Sequence, residues 1–430
     1  LFSSASSAAS AFSSSSASFS PFAASPAAAS SLPDVTVDAS TVVAHPSITS
    51  SHGLTPNQLE FRALAQDFAA NELLPRAAEW DAQKHFPVDV LRKAAGLGFA
   101  ALFVKEDVGG SGLGRADGAV IFEALAHADV STTAYLTIHN MNASIIDRFG
   151  SEEQRHKWLP ALATMDLLSS YCLTEPGSGS DAAALKTTAR QAPGSTVYIL
   201  NGSKAFISGA TAADVYLVMA RTDGEGPKGI SCFLVEKDMP GVSFGQLEKK
   251  LGWNSQPTAA VILEDVRVPA ANLIGGRGNG FRIAMTGLDG GRVNIGACSV
   301  GGAQFCLEYA QQYAADRKQF GKPITLFQNT QFQLADMATA VEASRLMVRN
   351  AATGIDIKAP WATTAAAMAK RFATDNCYQV ANQALQLLGG YGFLQDYPVE
   401  RYVRDLRVHT ILEGTNEIMR LIIARRLLQP

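Results

Sequence analysis

Tyr171-Cys-Leu-Thr-Glu-Pro-Gly-Ser-Gly-Ser-Asp181 marks the point where the texture of this 430-residue chain changes. Before it, apolar residues recur at helical spacing; after about Leu168 they fall into short β-type runs parted by turn signals. The segment itself reads as a strand followed by a loop. Its Thr, Pro and alternating Gly/Ser put hydroxyls and backbone N–H groups at the surface. Such donors suit the edge of a ring or a phosphate, although composition alone makes the stretch only a loop.

Upstream, Leu54-Thr55-Pro56-Asn57-Gln58-Leu59 is a complete helix start. Thr55 serves as N-cap, Pro56 as the first helical residue and Gln58 as the closing half of a capping box, with Leu54 and Leu59 as a hydrophobic staple. Phe61, Leu64, Phe68 and Leu73 extend one apolar face, and helical texture continues over 88–97, 118–128 and 133–149. The Gly-rich loop 108–114 lacks the strand before it and the Lys after it that a P-loop needs, so it is assigned no chemistry. Downstream, β-type runs at 197–200, 215–220, 230–235 and 260–263 predict a small β-domain, with Asn201-Gly202 as a hairpin turn. Helices return from about Gly280, most clearly over 331–351, 361–388 and 416–428. Leu288-Asp-Gly-Gly-Arg292 reads as a helix breaker between helix-compatible flanks, with glycines that let another backbone or a ligand come close.

The predicted organisation is a disordered, transit-peptide-like Ser/Ala-rich leader over 1–52, a helical domain over 53–168, a β-domain over 169–279 and a helical domain over 280–430. With 36 basic and 39 acidic residues there is no basic footprint for nucleic acid. Five scattered cysteines without a C-x-x-C pair predict reduced, buried thiols and no metal site. No apolar run is long enough to span a bilayer.

The second decisive stretch is His409-Thr-Ile-Leu-Glu-Gly-Thr-Asn-Glu-Ile-Met-Arg420. It sets Glu413 between an apolar run and a Gly-Thr-Asn turn able to cap a following helix through Thr415 or Asn416. A carboxylate against an apolar wall has its pKa raised toward neutrality, and Gly414 lets a ligand approach the backbone. A lone glutamate near a turn is ordinarily solvated. Glu413 stands apart only in company with Phe206-Ile-Ser-Gly209, Arg317-Lys-Gln-Phe-Gly321 and Gln386-Leu-Leu-Gly-Gly-Tyr-Gly-Phe393.

In this order and spacing the chain resembles the acyl-CoA dehydrogenases from about Leu54 to Leu428. Within the family, Gly252-Trp-Asn-Ser-Gln-Pro257, Tyr402-Val-Arg-Asp405 and Ile411-Leu-Glu-Gly414 are similar to members that act on short branched acyl groups. The resemblance implies a mainly α fold with a β-domain: an N-terminal helical domain, a middle β-domain and a C-terminal four-helix bundle. FAD would lie between them in a homotetramer, a dimer of dimers. Glu413 would be the base; Thr174 and Ser208 would hydrogen-bond the flavin ring, and Phe206 would pack on it. Tyr171, Leu173, Gly179, Ser180 and Ile207 would surround the ring, and Thr415, Asn416 and Glu417 would complete that site. Arg317, Phe320, Phe327 and Gln328 would hold the adenosine and pyrophosphate half, with Gln386, Leu387, Gly389 and Gly390 entering from a neighbouring subunit.

Ser180, Asp289, Gly290, Gly291, Arg292, Gly414 and Arg425 would face the acyl-CoA, the glycines giving a long ligand room along a helix. A few relatives carry the base near the Asp-x-x-Arg segment, where this chain has Gly291 and no carboxylate. The implied reaction is FAD-dependent α,β-dehydrogenation of a short branched acyl-CoA, isobutyryl-CoA to methacrylyl-CoA in valine catabolism. Electrons would pass to an electron-transfer flavoprotein in the mitochondrial matrix, a plastid or another organelle being the alternative. Other readings are a 2-methylbutyryl-CoA or linear short-chain substrate, an acyl-CoA oxidase, and an assembly protein of a respiratory complex.

Overall fold

Thr55 caps the first helix as its sequence predicts: Gln58 N donates to Thr55 Oγ1 (3.2 Å) and Thr55 N to Gln58 Oε1 (3.1 Å). The computed structural model describes residues 51–428, so the predicted leader lies outside the described residues except for its last two. Helices α1 (Pro56–Phe68), α2 (Ala77–Gln83), α3 (Val88–Gly96), α4 (Arg115–Ala128), α5 (Val130–Phe149) and α6 (Glu152–Ala163) build the N-terminal part. Asp129 separates α4 from α5, and its carboxylate accepts from Thr132 N (2.9 Å).

The middle part is a mixed sheet of β1 (Ser169–Cys172), β2 (Thr188–Arg190), β3 (Val197–Ser208), β4 (Val215–Arg221), β5 (Ile230–Glu236), β6 (Val242–Phe244), β7 (Thr258–Pro269) and β8 (Leu273–Ile274). Its order is β6-β7-β3-β2-β4-β5-β8, and β1 runs parallel to β4 with Tyr171 opposite Leu217. Here the predicted hairpin at Asn201-Gly202 is overturned. Both residues lie inside β3, at a bulge in its antiparallel pairing with β7. Asn201 and Asp265 bond reciprocally across the two strands (2.9 Å each), and a Cβ on Gly202 would sit 2.4 Å from Thr187 Oγ1. The Asn-Gly pair therefore serves close strand packing, which a local turn preference does not register. A second irregularity between Lys204 and Ile207 leaves Phe206 at φ +59°, with 68% of its surface exposed. Bulges re-aim side chains in this way.

Gly280–Asp316 forms one helix, α7, and this corrects the predicted break at 288–292. A helix-interior glycine costs about 1 kcal/mol relative to alanine, yet α7 is packed by α4, α5, α8 and α9, and the glycines make those approaches fit. A Cβ on Gly301, for instance, would fall 2.2 Å from the Glu123 carbonyl oxygen of α4. Beyond α7, Phe320 (φ +52°) and Gly321 (φ +80°) turn a two-stranded ribbon, β9 (Lys318–Gln319) and β10 (Lys322–Pro323). Helices α8 (Gln328–Asp356) and α9 (Ala362–Leu387) pack on α7 and on each other; α10 (Val399–Arg407) follows, and α11 (Asn416–Leu428) lies against α9. The architecture is thus N-terminal helical, middle β and C-terminal helical. The three parts meet where Trp253 N donates to Asp405 Oδ1 (2.5 Å) and Arg404 Nη2 to Asp81 Oδ2 (2.6 Å).

Candidate active site

Glu413 sits in the loop that enters α11, and its backbone is left-handed (φ +57°), as is that of Gly414 (φ +89°). A non-glycine residue holds that conformation only where its surroundings enforce it. The enforcement is visible at two successive carbonyls. Arg292 Nε of α7 donates to the Glu413 carbonyl (3.3 Å), and Lys370 Nζ of α9 donates to the Gly414 carbonyl (2.9 Å). The carboxylate then projects against α7, where Gly291 leaves it room: a Cβ there would lie 2.4 Å from Glu413 Oε2. That oxygen is sealed from solvent and has no hydrogen-bond partner. Burial pushes the carboxyl up to about 7, against the opposing pull of Arg292, Lys370 and Arg115.

Two further unpartnered, sealed polar atoms belong to groups electrostatically coupled to Glu413: the Tyr171 hydroxyl of β1 and Arg115 Nη1 at the start of α4. Arg115 lies 3.7 Å over the Phe103 ring, donates through Nη2 to Ser144 Oγ (3.2 Å) and fills the space that a Cβ on Gly290 would need. His409 is the nearest imidazole in sequence, but burial, with Lys370, holds it down to about 3. It is neutral at physiological pH and a poor proton acceptor there, whereas Glu413 is poised. Asp405 is also raised to about 7, first by burial and then by Asp129, but its Oδ1 is engaged by Trp253 N at the domain junction.

Three family models cover most of the chain: the acyl-CoA dehydrogenase N-terminal domain over 55–166, the middle domain over 170–266 and the C-terminal domain over 278–428. The chain belongs to the acyl-CoA dehydrogenase family. It is 59% identical to the mitochondrial isobutyryl-CoA dehydrogenases of Dictyostelium discoideum (90% of this chain, 92% of the relative) and Bos taurus (89% and 91%). Among solved structures it is similar to butyryl-CoA dehydrogenase from Megasphaera elsdenii, with a TM-score of 0.85, 38% identity, and coverage of 87% of this chain and 99% of that one.

Acyl-CoA dehydrogenase membership implies FAD, and the residues fit a flat ring. Phe206 offers an exposed face at a strained position, beside Ile207 and Ser208 at the end of β3. The loop after β1 adjoins it: Ala205 N donates to the Thr174 carbonyl (2.9 Å), and Gly177 and Gly179 border open space. This loop is held from behind by a buried ion pair, Lys204 Nζ to Glu175 Oε1 (2.8 Å), and Lys204 also donates to the Leu173 carbonyl (3.2 Å). Ser180 is exposed on the same loop, and Leu173 is buried beneath it.

The remaining expected site residues of this acyl-CoA dehydrogenase are spread over α7, α9, α11 and the loops that join them. Asn416 is buried, and both its polar atoms are taken: Oδ1 accepts from Lys370 Nζ (2.9 Å), while Nδ2 donates to Thr374 Oγ1 (2.9 Å) and Asp375 Oδ1 (2.7 Å). It supports the loop from inside, its side chain held by α9. Thr415 Oγ1 accepts from Ile418 N (3.3 Å) and caps α11, and Glu417 is exposed beside it. Gly290 and Gly291 give room to Arg115 and Glu413, side chains of this chain. Arg292 is buried and points to the Glu413 loop, with Nη1 on Asp289 Oδ1 (2.6 Å); Asp289 Oδ2 accepts from Thr363 (2.7 Å).

Arg317 lines a groove of about 510 Å³ together with Leu387, Gly389 and Gly390 of the same chain. The two sets thus line one groove within a single chain. Phe320 (93% exposed) and Phe327 meet edge to face at 6.0 Å, with Gln328 starting α8 and Gln386 exposed near the end of α9. Arg425 is exposed in the last turn of α11, about three helical turns beyond Gly414. Sequence reasoning missed Lys370, Arg115 and Lys204. A lysine within Ala366-Ala-Met-Ala-Lys-Arg-Phe-Ala373 and an arginine after a glycine loop carry no local mark of the carboxylates they approach. Among the described residues, no cluster of His, Cys, Asp or Glu is placed to hold a metal ion, and no helix is long and apolar enough to cross a membrane.

Proposed function

We propose that this acyl-CoA dehydrogenase oxidises a short branched acyl-CoA at its α,β-bond, isobutyryl-CoA foremost, with Glu413 as the base. The observation that carries the reading is the sealed, unpartnered Glu413 Oε2, raised to about 7 and aimed across Gly291. Bound FAD supplies the oxidant that accepts the β-hydride. Glu413 Oε2 takes the α-hydrogen as a proton, the Cα–H electron pair stays behind to form the Cα=Cβ bond, and the β-hydrogen leaves with its pair as a hydride. Arg292 of α7 donates to the Glu413 carbonyl behind that carboxylate. In the family reading, the Glu413 backbone N–H donates to the thioester oxygen where enolate-like charge develops. Phe206, Thr174 and Ser208 would hold the ring, and the groove of Arg317, Leu387, Gly389 and Gly390 the adenosine half of a cofactor from a neighbouring subunit.

The choice of isobutyryl-CoA is supported by the 59% identity to two proteins of that name, and the mitochondrial matrix by the word mitochondrial in both. An electron-transfer flavoprotein as acceptor and a homotetramer follow from the family resemblance. Anaerobic bleaching of the flavin spectrum by isobutyryl-, 2-methylbutyryl-, isovaleryl- and butyryl-CoA, beside Glu413→Gln, tests the proposal. Fastest bleaching by isobutyryl-CoA, abolished in a flavin-loaded Glu413→Gln, is expected. Equal bleaching in that variant removes Glu413 as base, and preference for another acyl group removes the substrate assignment.

A further inference from the structure

The Glu413–Gly414 turn is held from α9 as well as from α7, and the α9 contact belongs to a lysine that carries no local mark in the sequence. Lys370 is fully buried on α9 among Ala366, Ala367, Ala369 and Ala373. Its ammonium donates to the Gly414 carbonyl and to Asn416 Oδ1, both at 2.9 Å. Asn416 in turn is locked by Thr374 and Asp375, one turn further along α9. The Gly414 carbonyl is therefore tied to α9 by Lys370, and the start of α11 by Lys370 together with Thr374 and Asp375.

We infer that Lys370 is a positioning residue for the base: its ammonium holds the Gly414 carbonyl and Asn416 together, fixing the turn that aims Glu413 across Gly291. The inference rests on Glu413 being the base. A fully buried lysine whose hydrogen bonds go to neutral acceptors is costly, so its place beside the Glu413 turn demands a structural return. Burial brings the ammonium down to about 8, with Glu413 acting in the opposite direction. The charged groups around it are Glu413, Arg292, Asp375 and Glu417, with His409 neutral; those around Glu413 are Arg292, Lys370 and Arg115, with the Tyr171 phenol beside them. Loss of Lys370 thus has two separable effects, a misaimed carboxylate and a carboxylate that binds its proton more tightly.

The test compares holoenzyme Lys370→Met and Asn416→Ser with wild type in flavin reduction by isobutyryl-CoA across pH. Misplacement by about an ångström is worth about 100-fold in rate. Lys370→Met is expected to retain flavin and to lose kcat by about 100-fold with KM changed less than threefold. The acid limb of its pH profile should move to higher pH, and Lys370→Arg should restore the limb more fully than the rate. Asn416→Ser, which keeps the cation but removes its second acceptor, should lower kcat several-fold and leave the limb in place. A flavin-loaded Lys370→Met with wild-type kcat and limb overturns the inference. If that variant does not fold, wild-type kcat in Asn416→Ser overturns it instead. Glu413→Gln is run alongside: activity there sinks the base assignment itself, whereas an inactive Glu413→Gln beside a normal Lys370→Met sinks only the role of Lys370.

Discussion

Gly291 of α7 and Glu413 of the loop before α11 are matched by exclusion: a Cβ at position 291 would lie 2.4 Å from Oε2 and 2.6 Å from Cδ of the glutamate. Gly291→Ala should therefore displace the carboxylate while improving helix propensity by about 1 kcal/mol. The expected variant folds, binds flavin and reduces it at least tenfold more slowly, measured by stopped-flow absorbance. An unchanged rate would mean that the carboxylate moves aside without leaving its working position.

The raised Glu413 pKa makes stability depend on pH in a definite direction. Between 4.5 and about 7 the folded chain holds this proton and the unfolded chain releases it, so the stabilising contribution is complete below 4.5 and gone above about 7. The rise corresponds to about 3 kcal/mol. Glu413→Gln should accordingly be more stable than wild type at pH 8.5 by up to about 3 kcal/mol and equal to it near pH 4.5. Thermal unfolding of both proteins across this range measures the difference; a gap that does not grow with pH contradicts the burial.

Arg115 reaches Glu413 from the N-terminal domain and favours the ionised carboxylate. Arg115→Met removes that support, so the acid limb of kcat/KM, expected near 7 in wild type, should shift upward. At pH 7 the variant should be several-fold slower, and by pH 9 most of the deficit should vanish. A limb that stays put or moves down would show that Arg115 acts only through packing on Phe103.

Lys204 and Glu175 form a buried pair behind the loop proposed to cradle the flavin ring, and Glu175 also accepts from the N–H groups of Lys186 (2.6 Å) and Thr187 (2.9 Å). Removing one partner of such a pair costs about 3–5 kcal/mol. Lys204→Met should lower the melting temperature and release flavin, read from the absorbance of the ultrafiltrate. Wild-type retention of flavin at an unchanged melting temperature would separate the pair from the loop.

Much of the fold could be read locally. The Thr55/Gln58 capping box, the β-type run at 230–235 and the apolar periodicity of α5 and α9 are written in neighbouring residues, and local physics decides them. Glu413, by contrast, is ordinary by its neighbours alone and stands apart only through the order of the distant segments at Phe206, Arg317 and Gln386. Local reading misread Asn201-Gly202 as a turn and 288–292 as a break, because a glycine's local message is freedom. Whether that freedom serves a turn, a bulge or a close helix contact depends on what arrives from elsewhere. Asn416 likewise carries the signature of a cap and spends its side chain on α9.

By itself the amino-acid sequence determined most of the helices, the sheet-forming runs and the acid–glycine turn, which follow from short-range spacing and residue type, and the family, which follows from the order of its motifs along the chain. The tertiary structure alone decided that Arg292, Lys370 and Arg115, drawn from three separate helices, converge on that turn, and that one carboxylate oxygen there is sealed without a partner. Burial and electrostatic coupling are properties of through-space neighbours, and those neighbours exist only once distant helices have packed together.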